Sequence, residues 1–232
     1  MVIVLLLAAG TGNRFRNSTP KQLAELDGKP LIEHSLEVFY QHNQIDQINI
    51  VVSEDLISRV SEISQPYTTK VKQITQGGKT RSESSFAGLA SIESNTNPKI
   101  LIHDAARPFI SSEMISECIE ALDIFDAVSM ATPSNETILE VEEGIISRIP
   151  NREHLMRAQT PQGFRLETII AGYKKMKADN TSFTPTDDCG VVEKYLPEIP
   201  IGIIRGSEEN IKITFPKDLH LAQAIIKAEN KR

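Results

Sequence analysis

Tryptophan is absent from the chain, aromatic residues amount to 5% of it, and cysteine occurs only twice, as Cys118 and Cys189. Two isolated thiols exclude a disulfide framework and a cysteine-based metal cluster. They make the reducing cytosol the expected compartment, with both side chains read as small hydrophobes in or near a core. No run reaches the ~18 apolar residues that a membrane-spanning helix needs, so no membrane partner is expected. The apolar start, Met1 to Gly10, has no basic region before it and reads as a buried strand rather than an export signal. Positive charge is also in short supply: 25 Lys and Arg face 31 Asp and Glu, for a formal charge of −6. That balance argues against a nucleic-acid partner and still leaves room for a local basic pocket. The five histidines show no metal-ligand spacing, and no Ser–His–Asp arrangement can be argued.

What remains is an ordinary globular composition, 40% apolar and 24% charged over 232 residues, enough for one domain spanning 1–232 with an excursion. Val2–Leu7 is a continuous β-branched and leucine run closed by Ala8-Ala9-Gly10, the pattern of a strand covered on both faces. Helical spacing over Pro30–His42, Glu54–Gln65, Ser82–Ser94 and Ser111–Phe125 alternates with apolar strands at Ile45–Val52, Lys70–Thr75 and Lys99–Ile102. The alternation predicts an α/β fold with a mostly parallel sheet, in which active residues collect beyond the carboxyl ends of the strands. Gly10–Lys21, Gly77–Arg81 and His103–Pro108 fall at such ends and are expected to be neighbours. From Val128 the alternation breaks down. Thr137–Val141 and Ile145–Ile149 read as a hairpin about Glu142-Glu143-Gly144, too small to bury a core without a second surface. Helices at Leu166–Lys177, Asp187–Tyr195 and Pro216–Ala228 and a strand at Ile199–Arg205 complete the reading.

The loop Gly10-Thr11-Gly12-Asn13-Arg14-Phe15-Arg16, followed by Pro20-Lys21-Gln22, offers backbone N–H groups and positive charge to a polyphosphate. It lacks the Gly-Lys-Ser/Thr ending of a P-loop and the third glycine of the dinucleotide fingerprint. Asp104, at the end of an apolar strand, is placed to hold Mg²⁺ against phosphate oxygens and is equally suited to capping or to pairing Arg107. Taken alone, Thr186-Asp187-Asp188 reads better as a helix cap with first-turn acids, and Lys212 reads as readily as an edge-strand lysine. Together the parts suit reaction at a nucleotide phosphate, where positioning and charge neutralisation dominate.

Leu7-Ala8-Ala9-Gly10-Thr11-Gly12 with Arg14 and Pro20-Lys21-Gln22, Gly77-Gly78 with Arg81 and Ser84, and His103-Asp104-Ala105-Ala106-Arg107-Pro108 form one ordered set of motifs. Gln159-Thr160-Pro161-Gln162, Thr186-Asp187-Asp188 and Asn210-Ile211-Lys212-Ile213-Thr214 extend it across essentially the whole chain. In this the sequence resembles the 2-C-methyl-D-erythritol 4-phosphate cytidylyltransferase family, with the ribitol-5-phosphate cytidylyltransferases sharing much of the pattern. The resemblance implies a Rossmann-like nucleotidyltransferase fold with an inserted β-hairpin dimerisation arm, at about residues 134–157, that clasps a second subunit. It implies Arg14, Lys21 and Lys212 as the catalytic cations. Ala8, Ala9, Gly10, Thr11, Gly12, Gly78, Lys79, Ser84 and Ala105 would frame CTP, with Asp104 holding Mg²⁺. Thr137 and Arg152 from the partner's arm would clamp the polyol phosphate, and Arg107, Thr160, Thr186 and Asp187 would complete the pocket.

Two departures bear on the polyol. Glu136-Thr137 stands where the methylerythritol enzymes usually have Asp-Thr, and Lys79 replaces an acid often found after Gly-Gly. Ile149-Pro150-Asn151-Arg152 and Gly77-Gly78-Lys79 lean toward the pentitol-phosphate enzymes, whereas His103-Asp104-Ala105-Ala106-Arg107 and Arg157-Ala158-Gln159 lean toward the methylerythritol ones. The expected reaction joins CTP to methylerythritol phosphate, with ribitol 5-phosphate next. A pyrophosphorylase for another sugar phosphate and a nucleotide-binding regulatory subunit without catalysis are the rival readings.

Overall fold

Alternate side chains of the first strand face opposite ways, and each set meets its own layer of helices. In the computed structural model, which describes all residues except 11, 13, 16–18, 180, 182 and 230–232, β1 (Val2–Ala8) is buried along its whole length. Val2, Val4, Leu6 and Ala8 pack into one core with helices α1 (Leu31–Gln41), α2 (Ile57–Ile63) and α4 (Ser112–Ala121). Ile3, Leu5 and Leu7 pack into another with α3 (Arg81–Ala90), α5 (Leu166–Ala178) and α6 (Cys189–Tyr195). A strand buried on both faces cannot alternate apolar with polar residues, and this accounts for the unbroken apolar run.

Strands β1, β4 (Gln47–Val52), β5 (Val71–Gln76), β6 (Lys99–Asp104), β7 (Ala127–Pro133), β10 (Met156–Arg165) and β11 (Ile201–Arg205) form one sheet in the order β11-β7-β10-β6-β1-β4-β5. Only β10 runs antiparallel to its neighbours. The chain steps outward from β1 to β4 and β5, then returns to lay β6 on the other side of β1. The switch point therefore lies between β1 and β6, the place where ligands bind in doubly wound sheets. Leu7 and Asp104 are register partners there.

Some predicted features differ. The alternation breaks down from Val128 as expected, no α-helix lying between β7 and β10, but β7 itself and Met156–Arg165, a central strand, have no counterpart among the predicted strands. Pro161 is tolerated inside β10 because the register shifts between Ala158 and Gln162, so no ladder bond is required of it. The Asp187–Tyr195 helix begins instead at Cys189. The hairpin is present, with its first strand shorter than expected: β8 (Glu140–Glu142) pairs with β9 (Ile145–Arg148). Its turn places Glu143 and Gly144 at positive φ, 50° and 83°, the primed turn that matches strand twist. A smaller hairpin, β2 (Glu25–Leu26) with β3 (Lys29–Pro30), precedes α1. The closing helix α7 (Pro216–Glu229) packs Ala222, Leu219 and Ile226 against Phe15, Leu26, Leu31 and Ile213, beneath the glycine-rich loop. Among the described residues no helix is long and apolar enough to cross a membrane.

Candidate active site

Beyond the carboxyl ends of β1, β5 and β6 lies a cavity of about 480 Å³. Its walls are the loop after β1 with Ala8, Ala9, Gly10, Gly12 and Arg14, then Lys21 and Gln22, the turn Gly78 to Arg81 with Ser84, and Asp104 with Ala106. Thr186, Lys212 and Thr214 close it. The loop after β1 is held from beneath by Gln22, whose Nε2 donates to the carbonyls of Ala8 and of Gly10, the latter at 2.7 Å. Gly12 takes φ +65°, the left-handed backbone that favours glycine. Across the cavity, a Cβ at Gly77 would collide with Ala9 and approach Ser84 Oγ at 2.8 Å, so the two glycine turns can meet only without one. Ser84 Oγ accepts from Gly78 N at 3.1 Å and donates to Thr80 O at 2.9 Å. Thr80 in turn caps α3 through a capping box with Glu83.

The charges are unequal. Arg14, Lys21, Lys79, Arg81 and Lys212 line the cavity, with Asp104 as the acid among the lining residues. Burial depresses the Lys21 ammonium below its ordinary pKa, and Lys212 and Arg14 depress it further against the pull of Asp104. A site that crowds cations in this way is stabilised by an incoming polyanion.

Asp104 is the hub. Its Oδ1 accepts from Arg81 Nε at 3.2 Å and its Oδ2 from Lys212 Nζ at 2.5 Å. Burial alone would raise its pKa, but Arg81 and Lys212 override burial and hold the carboxyl well below the usual range. Arg81 also donates through NH1 to Asp188 Oδ2 at 2.7 Å, and Asp188 Oδ1 accepts from the Tyr173 hydroxyl at 2.6 Å. The edge-strand reading of Lys212 is thereby overturned: it lies on a loop and spans 108 residues of sequence to reach Asp104.

Several residues expected to line the pocket support it from behind instead. Thr160 Oγ1 accepts from the Asp104 amide and lies 3.1 Å from His103 Nδ1. His103 Nε2 lies 3.1 Å from the Arg107 carbonyl, which can only accept, so Nε2 carries the proton and Nδ1 takes the threonine hydroxyl's. Burial lowers this imidazole to about 4, leaving it neutral. Arg107 donates NH1 to Asn210 O at 2.7 Å and NH2 to Ala158 O at 3.3 Å, tying the Asp104 loop to the loop that carries Lys212. Asp187 accepts from Gly190 N at 2.8 Å and from Gln162 Nε2 at 2.8 Å, so the capping alternative holds for Asp187. Asp188 turns inward. Ala105 is buried in the core, and Ala106 lines the cavity in its place. Thr11 and Arg16 lie outside the described residues.

Thr137 and Arg152 sit on the exposed arm and do not line this chain's cavity. Arg152 NH1 donates to Asn135 O at 3.4 Å. Gln22, Thr80, Arg81, Ala106 and Thr214 line the cavity and had no role assigned in the sequence reading. Their signal was position: each follows the end of a strand or flanks a residue already singled out.

No group of three or more His, Cys, Asp or Glu able to hold a metal is found among the described residues. Asp104 is a single hard carboxylate facing the cation-lined cavity. That fits a Mg²⁺ ion shared with substrate oxygens, because Mg²⁺ is commonly held by one or two carboxylates plus phosphates.

Residues 2–228 match the family model described as 2-C-methyl-D-erythritol 4-phosphate cytidylyltransferase. A protein of that name from Thermobifida fusca is 39% identical over 97% of this chain and 93% of its own length. The bifunctional ribulose 5-phosphate reductase/CDP-ribitol pyrophosphorylase of Haemophilus influenzae is 38% identical over 98% of this chain and 48% of its own. Among solved structures, 4-diphosphocytidyl-2C-methyl-D-erythritol synthase from Anaerococcus prevotii matches with a TM-score of 0.86 at 30% identity, covering 97% of this chain and 98% of that one.

Proposed function

The chain belongs to the 2-C-methyl-D-erythritol 4-phosphate cytidylyltransferase family, and from that premise we propose that it transfers CMP from CTP to 2-C-methyl-D-erythritol 4-phosphate and releases pyrophosphate. The observation that carries the reading is the convergence of Arg14, Lys21 and Lys212 on one cavity at the β1–β6 switch point. An oxygen of the polyol phosphate attacks the α-phosphorus of CTP in line, the bond to the β-phosphate oxygen breaks, and pyrophosphate leaves. The attacking phosphate is already anionic at neutral pH, so no general base is required. The barrier is repulsion between two polyanions, and it falls when cations surround both. Arg14 and Lys21 take the triphosphate and the charge that develops on the leaving group; Lys212 leaves Asp104 for the α-phosphate. Asp104 would hold Mg²⁺, which when bound neutralises phosphate charge. Ala8, Ala9, Gly10, Gly12, Gly78, Lys79 and Ser84 frame the nucleotide.

Thr137 and Arg152 of a partner subunit grip the polyol phosphate, with the arm at about 134–157 acting as the dimer contact. Support for this is the arm's apolar exposure: Ile145 is 73% and Ile149 59% exposed. The buried free thiols of Cys118 and Cys189 suit a reducing compartment, the cytosol.

The relative from Haemophilus influenzae makes ribitol 5-phosphate the second acceptor to test. Pyrophosphate release measured from CTP with each polyol phosphate in parallel, and from UTP, ATP and GTP with the preferred one, decides the matter. The reading expects the highest kcat/KM for CTP with methylerythritol phosphate. Preference for ribitol 5-phosphate would reassign the acceptor. Absence of release with both would support the regulatory-subunit reading and overturn this one.

A further inference from the structure

Arg81 reaches Asp104 with only half of a fork. In a guanidinium, Nε–H and one NH₂ group share an edge and can grip both oxygens of a carboxylate. Here Nε lies 3.2 Å from Asp104 Oδ1, while Arg81 NH2 is buried and has no hydrogen-bond partner. The other amino group, NH1, is committed to Asp188 at 2.7 Å, and Asp188 is held in turn by the Tyr173 hydroxyl at 2.6 Å. Asp188 is fully buried, does not line the cavity, and lies on the far side of Arg81 from the chemistry.

We propose that Asp188 is a positioning residue that, by anchoring Arg81, keeps the guanidinium from closing on both oxygens of Asp104 and so reserves Oδ2 for an exchangeable partner. In this structure that partner is Lys212. Once a triphosphate draws Lys212 away, Oδ2 faces two competitors, the unused Arg81 NH2 and a divalent cation. A buried arginine with one carboxylate neighbour would take both oxygens and neutralise it. Divided between two carboxylates, it leaves Asp104 one free oxygen and the Arg81, Asp104 and Asp188 cluster one net negative charge, and both favour a cation. Tyr173 satisfies the second oxygen of Asp188, so the anchor does not swing. The inference rests on the assignment of Asp104 as the cation ligand.

The test uses Mn²⁺ as the probe, counted by electron paramagnetic resonance on the full chain with the unreactive analogue α,β-methylene-CTP. Affinity for the analogue is measured separately in EDTA. The wild type binds one Mn²⁺ per site, and Asp188→Asn binds it at least tenfold more weakly while its metal-free affinity for the analogue changes less than threefold. Adding Arg81→Gln to Asp188→Asn removes the competing guanidinium and restores Mn²⁺ affinity to the wild-type level or better; a purely structural role for Asp188 would make the double variant worse than the single. Should Asp188→Asn alone fail to fold by circular dichroism, Arg81→Gln and the double variant, which leave no buried arginine uncompensated, carry the same test: both must bind Mn²⁺ at least as tightly as the wild type. Equal binding by Asp188→Asn and wild type, or weakened binding by the double variant, overturns the proposal with the assignment of Asp104 intact. No Mn²⁺ binding by the wild type overturns both.

Discussion

His103 is the clearest case of a residue whose type is legible in the sequence and whose role is not. It stands beside Asp104 at a strand end, with neither metal-ligand spacing nor a catalytic partner in the sequence to assign it a role. The structure instead spends both its nitrogens on the Arg107 carbonyl and the Thr160 hydroxyl. The same holds for Asp188, which reads in isolation as a cap residue, and for Lys212, which reads as readily as an edge-strand residue, because their partners lie 107 and 108 positions away in sequence. Local spacing carries no information about such pairs. The neutral His103 has a measurable consequence. Burial lowers its pKa from the ordinary 6.5 to about 4, so between those values the unfolded chain binds a proton that the folded chain does not. Its contribution is complete above about pH 6.5 and is lost as pH falls toward 4, by up to about 3 kcal/mol. Urea unfolding at pH 7 and pH 4.5 should therefore show His103→Gln losing about that much less stability on acidification than the wild type; equal losses would mean the imidazole is not buried neutral.

At the scale of elements, the first half of the chain was legible because each parallel strand is an apolar run followed by a helix with its own face. β10 was not. Arg157, Gln159, Gln162 and Pro161 make it look like a loop, yet its buried amides are all engaged: Gln162 with Ser129, Asp187 and the Asp188 amide, and Gln159 with Ser207 and Asn210. A strand whose polar side chains bond to their neighbours leaves no hydrophobic period to read. It also explains why the loops of Asp104, Asp188 and Lys212 meet, since all three are tied to β10. The hairpin β8–β9 was legible from its turn and its size. Its exposed Ile145 and Ile149 predict a homodimer at micromolar concentration, because a two-stranded ribbon cannot bury such residues alone. Ile145→Asp with Ile149→Asp should sediment as a monomer with its unfolding midpoint little changed. An active wild type that sediments only as monomer would remove the arm from assembly.

At the scale of the molecule, the account divides labour between chains: cations and nucleotide contacts from one subunit, and the grip on the polyol phosphate from its partner's arm. Mixed dimers test the division. Arg152→Ala and Lys21→Ala subunits, each strongly slowed alone, should regain activity on mixing, since one of the two sites in a heterodimer keeps both groups. No recovery after demonstrated subunit exchange would assign Arg152 to its own chain. The chemistry itself is tested most directly by ³¹P NMR of the protein with CTP, Mg²⁺ and 2-C-methyl-D-erythritol 4-phosphate. The account predicts that the CTP resonances give way to pyrophosphate and to the paired doublets of a diphosphate diester in equal amounts. Lys21→Ala, folded by circular dichroism, should slow that conversion by ~10²-fold or more, as loss of a preorganised charge at a developing oxyanion does. Pyrophosphate or phosphate appearing without the diester, or a folded Lys21→Ala variant turning over at the wild-type rate, would contradict it.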